Sequence, residues 1–358
     1  MARIAVLGHG VAALAAARRL VLAGAAPLLI APPGDMPQRG ETLSPRALPS
    51  LEKLGWSGLL DPAVALPGAG RFSIWGDDTL RRDPETGQDT GFHIDRPRLQ
   101  TRMAQTLQVA GVARLWASAV TLAHQPTGVR IDLSDGGVVE VAAVIDATGR
   151  AALSCGPAAE RRRLDRLVAV YGVCDLDPDD AVASATLVEA VAHGWWYMAP
   201  LPGRRMMLGL FTDTDLVPEG IQRDGAAFVA CAAQTFAIAP RLESLGLGPA
   251  FGSAAPEVVP ATSALATRVW EGRILRAGDA AASLDPLGAN GLATAIWSGI
   301  KAAEAALGLE QGDAALARSY EQEFLAGIVN FLATQRALYS AERRFASSPF
   351  WVRRHSLP

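Results

Sequence analysis

The chain has 358 residues, 50% of them hydrophobic, and a formal net charge of −3. This length supplies enough apolar residues for two domains, or for one domain with a large insertion. The low net charge gives no strong attraction to nucleic acid or to an anionic membrane. The cysteines number 3, lie far apart and form no Cys-x-x-Cys pair, so neither a disulfide framework nor a metal site is predicted.

The N-terminus resembles a signal peptide only at first sight. An apolar stretch follows residues 1–3, but Arg18 and Arg19 interrupt it too early. No apolar run reaches the ~18 residues that a membrane-spanning helix needs, so no membrane span is predicted. The expected location is the cytoplasm.

Short apolar runs that alternate with glycine turns and helical spacing predict an α/β fold. The first unit is a strand at 3–7, a turn at 8–13, a helix at 14–23 and a strand at 27–31. This is the context that a dinucleotide-binding fingerprint requires. The remaining predicted elements are helix 46–54, strands 71–75 and 91–94, helix 98–109, a hairpin of 129–133 and 138–141, strands 144–145, 167–176, 184–190, 195–199 and 206–212, helix 226–237, strand 273–275, and helices 291–307 and 313–338.

The first turn has the pattern Gly-x-Gly-x-x-Ala. Gly8 permits the tight turn, Gly10 lets the backbone approach a pyrophosphate, and Ala13 leaves room for the helix to pack on the strand. Val11 and Ala12 complete the turn, and the helix after it presents free N–H groups and a partial positive charge that favour phosphate. These residues are therefore predicted to bind the pyrophosphate of a dinucleotide.

One part of the fingerprint is absent from the sequence. The second strand ends at Ala31 and Pro32, where such a fold normally carries an acidic residue that holds the adenosine ribose. Asp35 or Glu41 could compensate, or backbone groups and water could hold the ribose. We therefore expect the chain to retain its dinucleotide more weakly than is usual for this fold.

A second glycine-rich segment follows the strand at 273–275. An aspartate there can accept hydrogen bonds from the sugar-alcohol chain of a flavin, although a plain strand-to-helix connection is the alternative. Glycines further along let backbone N–H groups face the flavin pyrimidine edge, where a helix N-terminus stabilises the negative charge of the reduced ring. The residues predicted to bind FAD here are Gly278, Asp279, Pro286, Gly288, Ala289, Asn290 and Gly291.

A third motif, residues 146–149, closes the strand between these two segments and fits the same FAD-binding domain in order and spacing. The sequence contains only one dinucleotide fingerprint, because no second Gly-x-Gly-x-x-Gly is present for NAD(P)H. The electrons are therefore expected from an external reductant or from transiently bound NAD(P)H.

The order of these motifs resembles that of FAD-dependent monooxygenases of the aromatic hydroxylase superfamily, over essentially the whole chain. Residues 39–48 are similar to the segment after the second strand in tryptophan-halogenase-like flavoproteins. Residues 73–76, 93–96, 194–202 and 348–354 resemble one branch of that group. That branch comprises the maturation flavoproteins of tryptophylquinone amine oxidases and dehydrogenases, which oxidise a tryptophan within a partner protein.

The resemblance implies a Rossmann-like FAD-binding domain of the aromatic hydroxylase type, an inserted antiparallel β-sheet substrate domain and a C-terminal helical segment. The basic stretches in that last segment, 342–344 and 353–354, could dock an acidic partner, although a solvated tail is the simpler interpretation. The expected boundaries are 1–70, 91–165 and 255–310 for the FAD-binding domain, 71–90 and 166–254 for the substrate domain, and 311–358 for the helical segment.

The activity implied by the resemblance is hydroxylation of an electron-rich aromatic ring, in a free molecule or in a tryptophan side chain of a partner protein or peptide. Halogenation is disfavoured, because the chain has no Trp-x-Trp-x-Ile-Pro and no lysine between Lys53 and Lys301 to carry hypohalous acid. A geranylgeranyl-reductase-like enzyme, which uses the flavin as hydride donor, remains open. A non-catalytic FAD-binding scaffold also remains open.

Glu41 and His93 are the candidate proton acceptors. The resemblance places the loop that carries Glu41 near the isoalloxazine, and Arg39 in the same loop is expected to contact flavin or phosphate. His93 lies on a strand that leads into the second sheet. Purely structural roles for Glu41 and His93, and a solvated loop position for Arg39, remain open.

Aromatic residues of the second sheet are the candidates for shaping the pocket, and Trp195 is the one assigned to the catalytic site. Trp75, Trp196 and Tyr197 are further candidates. Strand alternation places Trp195 and Tyr197 on one face and Trp196 on the other, so that only some of them can face a flavin. Ordinary core aromatics are the alternative interpretation.

Overall fold

The structure, a computed structural model, describes residues 4–34, 40–82, 91–156, 160–177 and 185–356. No helix in these ranges is long and apolar enough to cross a bilayer. The helices are α1 (Val11–Leu22), α2 (Leu48–Lys53), α3 (Arg96–Val109), α4 (Gly225–Ala232), α5 (Ile238–Ser244), α6 (Gly248–Gly252), α7 (Gly291–Glu310), α8 (Ala315–Ala341) and α9 (Pro349–His355). The strands are β1 (Ile4–Leu7), β2 (Leu28–Ile30), β3 (Gly40–Leu43), β4 (Ala65–Pro67), β5 (Arg71–Ile74), β6 (Arg81–Arg82), β7 (Phe92–Asp95), β8 (Ala113–Leu115), β9 (Ala119–Gln125), β10 (Gly128–Leu133), β11 (Val138–Val141), β12 (Ala143–Asp146), β13 (Arg161–Arg163), β14 (Leu167–Asp175), β15 (Thr186–Val191), β16 (Gly194–Leu201), β17 (Arg205–Asp213), β18 (Glu257–Pro260), β19 (Ala264–Ala266), β20 (Trp270–Glu271), β21 (Ile274–Arg276) and β22 (Ala282–Ser283).

The first sheet has parallel strands in the order β21-β12-β1-β2-β8, with β20 antiparallel at one edge. Every residue of β1 is buried, as expected for a strand covered on both faces. Helices α1 and α7 pack together on one face of the sheet. They approach so closely that a Cβ on Gly299 of α7 would overlap the carbonyl oxygen of Ala12 of α1. Strands β9–β11 form an antiparallel sheet that covers the other face.

The predicted strand–turn–helix–strand unit is confirmed, but its helix α1 begins at Val11 and not at the predicted residue 14, so the turn is shorter than predicted. The helix predicted at 226–237 is wrong in its second half, because α4 ends at Ala232 and α5 begins anew at Ile238. A residue of the second sheet causes this break between α4 and α5. The buried Glu189 carboxylate of β15 accepts the backbone N–H groups of Ala237 at 2.8 Å and Ile238 at 3.1 Å, so these donors are taken from a continuous helix.

The second sheet has the order β18-β14-β17-β16-β15-β5-β6. Its neighbouring strands are antiparallel except for the parallel pair β15 and β5. The predicted alternation is confirmed, because Trp196 packs against Phe228 of α4 with ring centroids 5.3 Å apart, whereas Trp195 stacks on Phe211 on the opposite face. The predicted fold class is therefore confirmed, and the division into domains stays a prediction.

The C-terminal segment is folded against the second sheet. Arg354 is buried and donates to the Asp213 carboxylate at 2.7 and 3.1 Å. Arg353 donates to the same carboxylate at 2.7 Å and to Asp215 at 2.7 and 2.8 Å. Trp351 is fully buried and donates its indole N–H to the Val191 carbonyl at 2.8 Å. The interpretation of 353–354 as a solvated tail is wrong, because both arginines are paired within the chain.

Candidate functional site

A cavity of about 270 Å³ lies where α1, α7 and one face of the second sheet meet. The two glycine-rich segments, which are far apart in the chain, border it together. The sequence-predicted residues that line this first cavity are Gly10, Val11, Ala12, Glu41, Trp195, Gly278, Asp279, Pro286, Ala289 and Gly291.

Gly8 and Gly278 shape the cavity through close backbone packing. Gly8 has a φ of +104°, and a Cβ there would lie 2.9 Å from the carbonyl carbon of Ala147 and closer still to its oxygen. Gly278 has a φ of +59°, and a Cβ there would lie 2.7 Å from the Cβ of Ala12. Gly8 and Ala13 lie behind the lining, where they hold the turn against the neighbouring strand and the core.

The third motif supports the same turn. The Asp146 carboxylate is buried and accepts the backbone N–H of Thr148 at 3.0 Å and that of Ser154 at 2.7 Å. These bonds fix the segment on which Gly8 packs. Ala147 and Gly149 also line the first cavity, so all three motifs predicted from the sequence meet at one place.

The exposed backbone of the first cavity fits a dinucleotide. A Cβ built on Gly10 or on Gly291 meets no protein atom within 4 Å, which leaves both backbones open to a ligand. Helices α1 and α7 begin at this cavity, and their N-terminal partial positive charges suit a pyrophosphate and a reduced flavin. Arg96 and Arg150 also line the cavity, where they pair with the carboxylates of Glu41 and Asp279. The site therefore has the donors and charges that FAD requires.

Arg96 is a lining residue that sequence reasoning missed. It forms an ion pair with Glu41, and its Nε donates to Gln100 at 2.9 Å. The Glu41 charge raises the pKa of Arg96. Gln100 in turn donates to the His9 carbonyl at 3.1 Å, which ties Arg96 to the phosphate turn. Glu41 thus lies at the cavity with its carboxylate engaged by Arg96, and its role as a proton acceptor stays a prediction. The available signal was the position of Arg96 in the segment 93–96.

His93 lies away from the other candidate catalytic residues. It is on β7 between β3 and β4, opposite Thr42 and Leu66, and is 2% exposed. Among the described residues, the lining of the first cavity includes Glu41 and Trp195 but not His93. A catalytic role for His93 stays a prediction without support from its position.

The adenosine end of the predicted FAD site is only partly described. Ala31, which stands where an acidic residue is usual, is buried and donates its backbone N–H to the Leu115 carbonyl at 3.1 Å. Asp35 and the predicted flavin contact Arg39 lie outside the described residues. How the ribose is held therefore stays a prediction.

A second cavity of about 940 Å³ adjoins the first and reaches α8. Gly288 and Asn290 of the predicted flavin loop line this second cavity rather than the first. Its walls include Trp297, Phe324 and Phe331. The residues that border both cavities and separate them are Thr42, Trp195, Tyr197, Leu284, Pro286 and Ala289.

The wall between the cavities is aromatic with polar points. Trp195 stacks on Phe211 with ring centroids 4.0 Å apart and planes 9° from parallel. The Tyr197 hydroxyl is hydrogen-bonded to the Thr42 hydroxyl at 3.1 Å, and burial raises the pKa of Tyr197. The wall can therefore present aromatic rings as well as a hydroxyl group to an aromatic substrate.

The loop after the second motif is anchored by Asp285. Its Oδ1 accepts the Leu287 N–H at 2.8 Å, and its Oδ2 accepts Gln335 at 2.9 Å and the Tyr339 hydroxyl at 2.8 Å. Burial raises the pKa of Asp285. The sequence motif contained Asp285 but gave no signal for Gln335 and Tyr339, because α8 meets the loop only in the folded chain.

The profile of the tryptophan halogenase family matches residues 66–358. The chain belongs to this family. The predicted family, fold class and FAD cofactor are thereby confirmed, since the relatives below are also flavin-dependent proteins.

Three known proteins are similar to this chain. The putative FAD-dependent oxidoreductase LodB of Marinomonas mediterranea is 30% identical over 218 residues, which cover 60% of this chain and 56% of LodB. The match thus spans little more than half of that relative. The peptidyl tryptophan dihydroxylase QhpG, essential for tryptophylquinone cofactor biogenesis, is 27% identical with a TM-score of 0.80, covering 100% of this chain and 79% of QhpG. The myxobacterial chondrochloren halogenase CndH shares the fold, at 20% identity and a TM-score of 0.81 over 99% of this chain and 86% of its own.

Proposed function

We propose that the protein is an FAD-dependent monooxygenase that hydroxylates an electron-rich aromatic ring, and that this ring is a tryptophan side chain of a partner protein or peptide during maturation of a quinone cofactor. The observation that carries the proposal is the position of the loop 285–291. This loop lies between the helix N-termini suited to FAD and the aromatic wall of Trp195 and Tyr197. The family, and the similarity to QhpG over the whole chain, support the substrate class.

In this proposal, some residues of the first cavity bind FAD and others bind the aromatic substrate. The N-termini of α1 and α7, with Arg150, hold the phosphates and the flavin ring, and Asp279 accepts hydrogen bonds from the sugar chain. FAD bound there and reduced by an external donor would supply the two electrons with which one atom of O₂ enters the ring and the other leaves as water. Trp195 and Tyr197 orient that ring, and the apolar sheet face beside them excludes water from it.

The size of the second cavity is compatible with a peptide substrate. Pockets for small molecules span roughly 300–1,000 Å³, and this cavity, at about 940 Å³, lies near the upper end. It therefore has room for the residues that flank a tryptophan. Asn290, Asn330 and Gln335 line it and carry amide groups that can bond to a peptide backbone.

The positions of the lysines favour hydroxylation over halogenation. The sequence contains only two lysines, Lys53 and Lys301. Lys53 pairs with Glu304 at 2.7 Å, and Lys301 pairs with Glu323 at 2.7 Å. Neither lysine borders either cavity, so no lysine amine is available there to carry an oxidised halide.

Product formation by the reduced holoenzyme tests the proposal. FAD-loaded protein is reduced anaerobically by an external reductant or NAD(P)H, mixed with a tryptophan-centred peptide and exposed to air, with and without bromide. We expect flavin reoxidation to be coupled to a hydroxylated peptide, independently of bromide. The control peptide carries phenylalanine in place of tryptophan and should remain unchanged. A brominated product, a product formed without oxygen, or a flavin that cannot be reduced would contradict the proposal.

A further inference from the structure

The hydroxyl group of Tyr339 lies between the flavin loop and the aromatic wall. It donates to Asp285 Oδ2 at 2.8 Å and accepts the Trp195 indole N–H at 3.2 Å. Tyr339, Asp285 and Trp195 are all buried. One hydroxyl group therefore connects the residue that anchors the loop 285–291 with a residue that separates the two cavities.

The C-terminal helix α9 contacts both the backbone and the ring of Tyr339. The His355 Nε2 lies 3.1 Å from the Tyr339 carbonyl oxygen, and the Arg354 guanidinium lies 5.4 Å from the centre of the ring. Arg354 is itself held by the buried Asp213 carboxylate. The aromatic neighbours of Tyr339, with ring centroids 6.0–6.2 Å away, are Trp75, Phe350 and Trp351.

The hydrogen bond that Trp195 donates to Tyr339 has no replacement among the described residues. The Trp195 ring is stacked on Phe211 and cannot turn without breaking that contact. Its N–H has no other hydrogen-bond acceptor in the part of the chain that is described. A Tyr339 without its hydroxyl would leave a buried donor unsatisfied on Trp195, which is unfavourable in a protein interior.

We propose that Tyr339 is a positioning residue, which fixes the indole of Trp195 and the turn at Asp285 relative to each other. The proposal rests on the proposed function, because the loop and the wall are the surfaces that FAD and the aromatic ring contact. Tyr339 itself borders neither cavity and acts through Asp285 and Trp195. The C-terminal helices α8 and α9 thereby set the spacing between cofactor and substrate.

Hydrogen exchange at the Trp195 indole tests this role directly. The 8 tryptophans of the protein are labelled with ¹⁵N, and the indole N–H signal that Trp195→Phe removes is that of Trp195. Tyr339→Phe keeps the ring and removes the hydroxyl. We expect it to speed exchange of the Trp195 indole proton about fivefold or more, since the loss of one hydrogen bond shifts local opening by that order.

Tyr320→Phe is the matched control. Tyr320 is a second buried tyrosine on α8, and its hydroxyl donates to the Arg276 carbonyl at 2.6 Å rather than to Asp285 or Trp195. This variant loses a buried hydroxyl of the same kind, so the Trp195 signal is expected to stay at its wild-type exchange rate. Circular dichroism before each exchange run verifies that both variants are folded.

The FAD-bound variants give the second measurement. We expect Tyr339→Phe to change the flavin absorption spectrum and to raise KM for the aromatic substrate more than it lowers kcat, with Tyr320→Phe unchanged in both. Unchanged Trp195 exchange in Tyr339→Phe, or equal acceleration in both variants, would overturn the proposal. The two proposals can fail separately. If Trp195 exchange is faster in Tyr339→Phe alone but the wild-type protein forms no hydroxylated product, the positioning role is supported and the proposed function is overturned.

Discussion

Alanine substitutions at Gly8 and Gly10 separate folding from FAD binding. The two glycines belong to the same turn but differ in surroundings. A Cβ at Gly8 would overlap the Ala147 carbonyl, and its φ of +104° strains any other residue. A Cβ at Gly10 meets no protein atom within 4 Å, and its φ of −72° suits alanine. Only the first substitution should therefore destabilise the protein without cofactor.

The expected magnitudes differ by several kcal/mol. A positive φ costs a non-glycine residue roughly 1–2 kcal/mol, and the backbone shift at Ala147 brings the total for Gly8→Ala to about 3 kcal/mol or more. Gly10→Ala loses about 1 kcal/mol at the N-cap of α1. It regains a similar amount, ~0.4–1 kcal/mol, because the unfolded chain is less flexible. Its net effect on the free energy of unfolding should lie within about 0.5 kcal/mol of zero.

Two assays read these effects separately. Urea unfolding of the protein without FAD gives the stability change, and quenching of flavin fluorescence on titration gives the Kd for FAD. We expect Gly10→Ala to raise that Kd by at least about tenfold, or ~1.4 kcal/mol, because its methyl group enters the space for the pyrophosphate. Equal destabilisation by both variants, or an unchanged Kd in Gly10→Ala, would refute the assignment of this turn.

Three further predictions concern the C-terminus, pH and the cofactor. Arg354→Met removes the buried partner of the buried Asp213 carboxylate and should lower the free energy of unfolding in urea by about 3–5 kcal/mol. The control Arg353→Met removes a side chain that is 38% exposed and leaves Arg354 on Asp213, so it should cost less than about 1 kcal/mol; equal losses would contradict the difference in burial. Burial, followed by the charges of two nearby arginines, lowers the pKa of His9 below its ordinary 6.5, so the unfolded state takes up a proton first and stability falls as the pH drops through 6.5. Unfolding curves at pH values on both sides of 6.5 should show that the free energy of unfolding falls less steeply with falling pH in His9→Gln than in the wild-type protein. Parallel pH profiles of the two proteins would contradict this. Because Ala31 replaces the usual acidic residue, extensive dialysis should remove FAD, and stoichiometric flavin absorbance afterwards would show that the ribose is held by other groups.

The glycine-rich half of the first cavity could be predicted because its determinants are local. The turn at Gly8 and the segment around Gly278 each lie within a few residues of the strand that positions them, although α1 begins at Val11 and not at the predicted residue 14. The strand alternation that separates Trp195 from Trp196 is equally local, and the structure agrees with it.

The polar groups around that half could not be predicted, because they meet only through tertiary packing. Arg96 is at the start of α3, yet it reaches the cavity through Glu41 of β3. Tyr339, Asp285 and Trp195 form a hydrogen-bonded group although they lie in three different elements of the chain. No periodicity in the sequence relates these positions.

The ion pairs of the basic C-terminus also could not be predicted from the sequence. Charge alone suggested a solvated tail, because the sequence does not reveal which acids lie nearby. In the structure, Asp213 stands at the end of β17 and receives both arginines of α9. Burial of Trp351 and Phe350 in the same helix then holds the pair in place.

The central claim is that the protein transfers an oxygen atom from O₂ to an aromatic ring, and isotope incorporation tests it most directly. The FAD-loaded, reduced protein is supplied with a tryptophan-containing peptide and ¹⁸O₂ in unlabelled water, and the product is analysed by mass spectrometry. The account predicts hydroxylated tryptophan that carries ¹⁸O. A product that carries oxygen from water, or a modified peptide that forms without O₂, would contradict it.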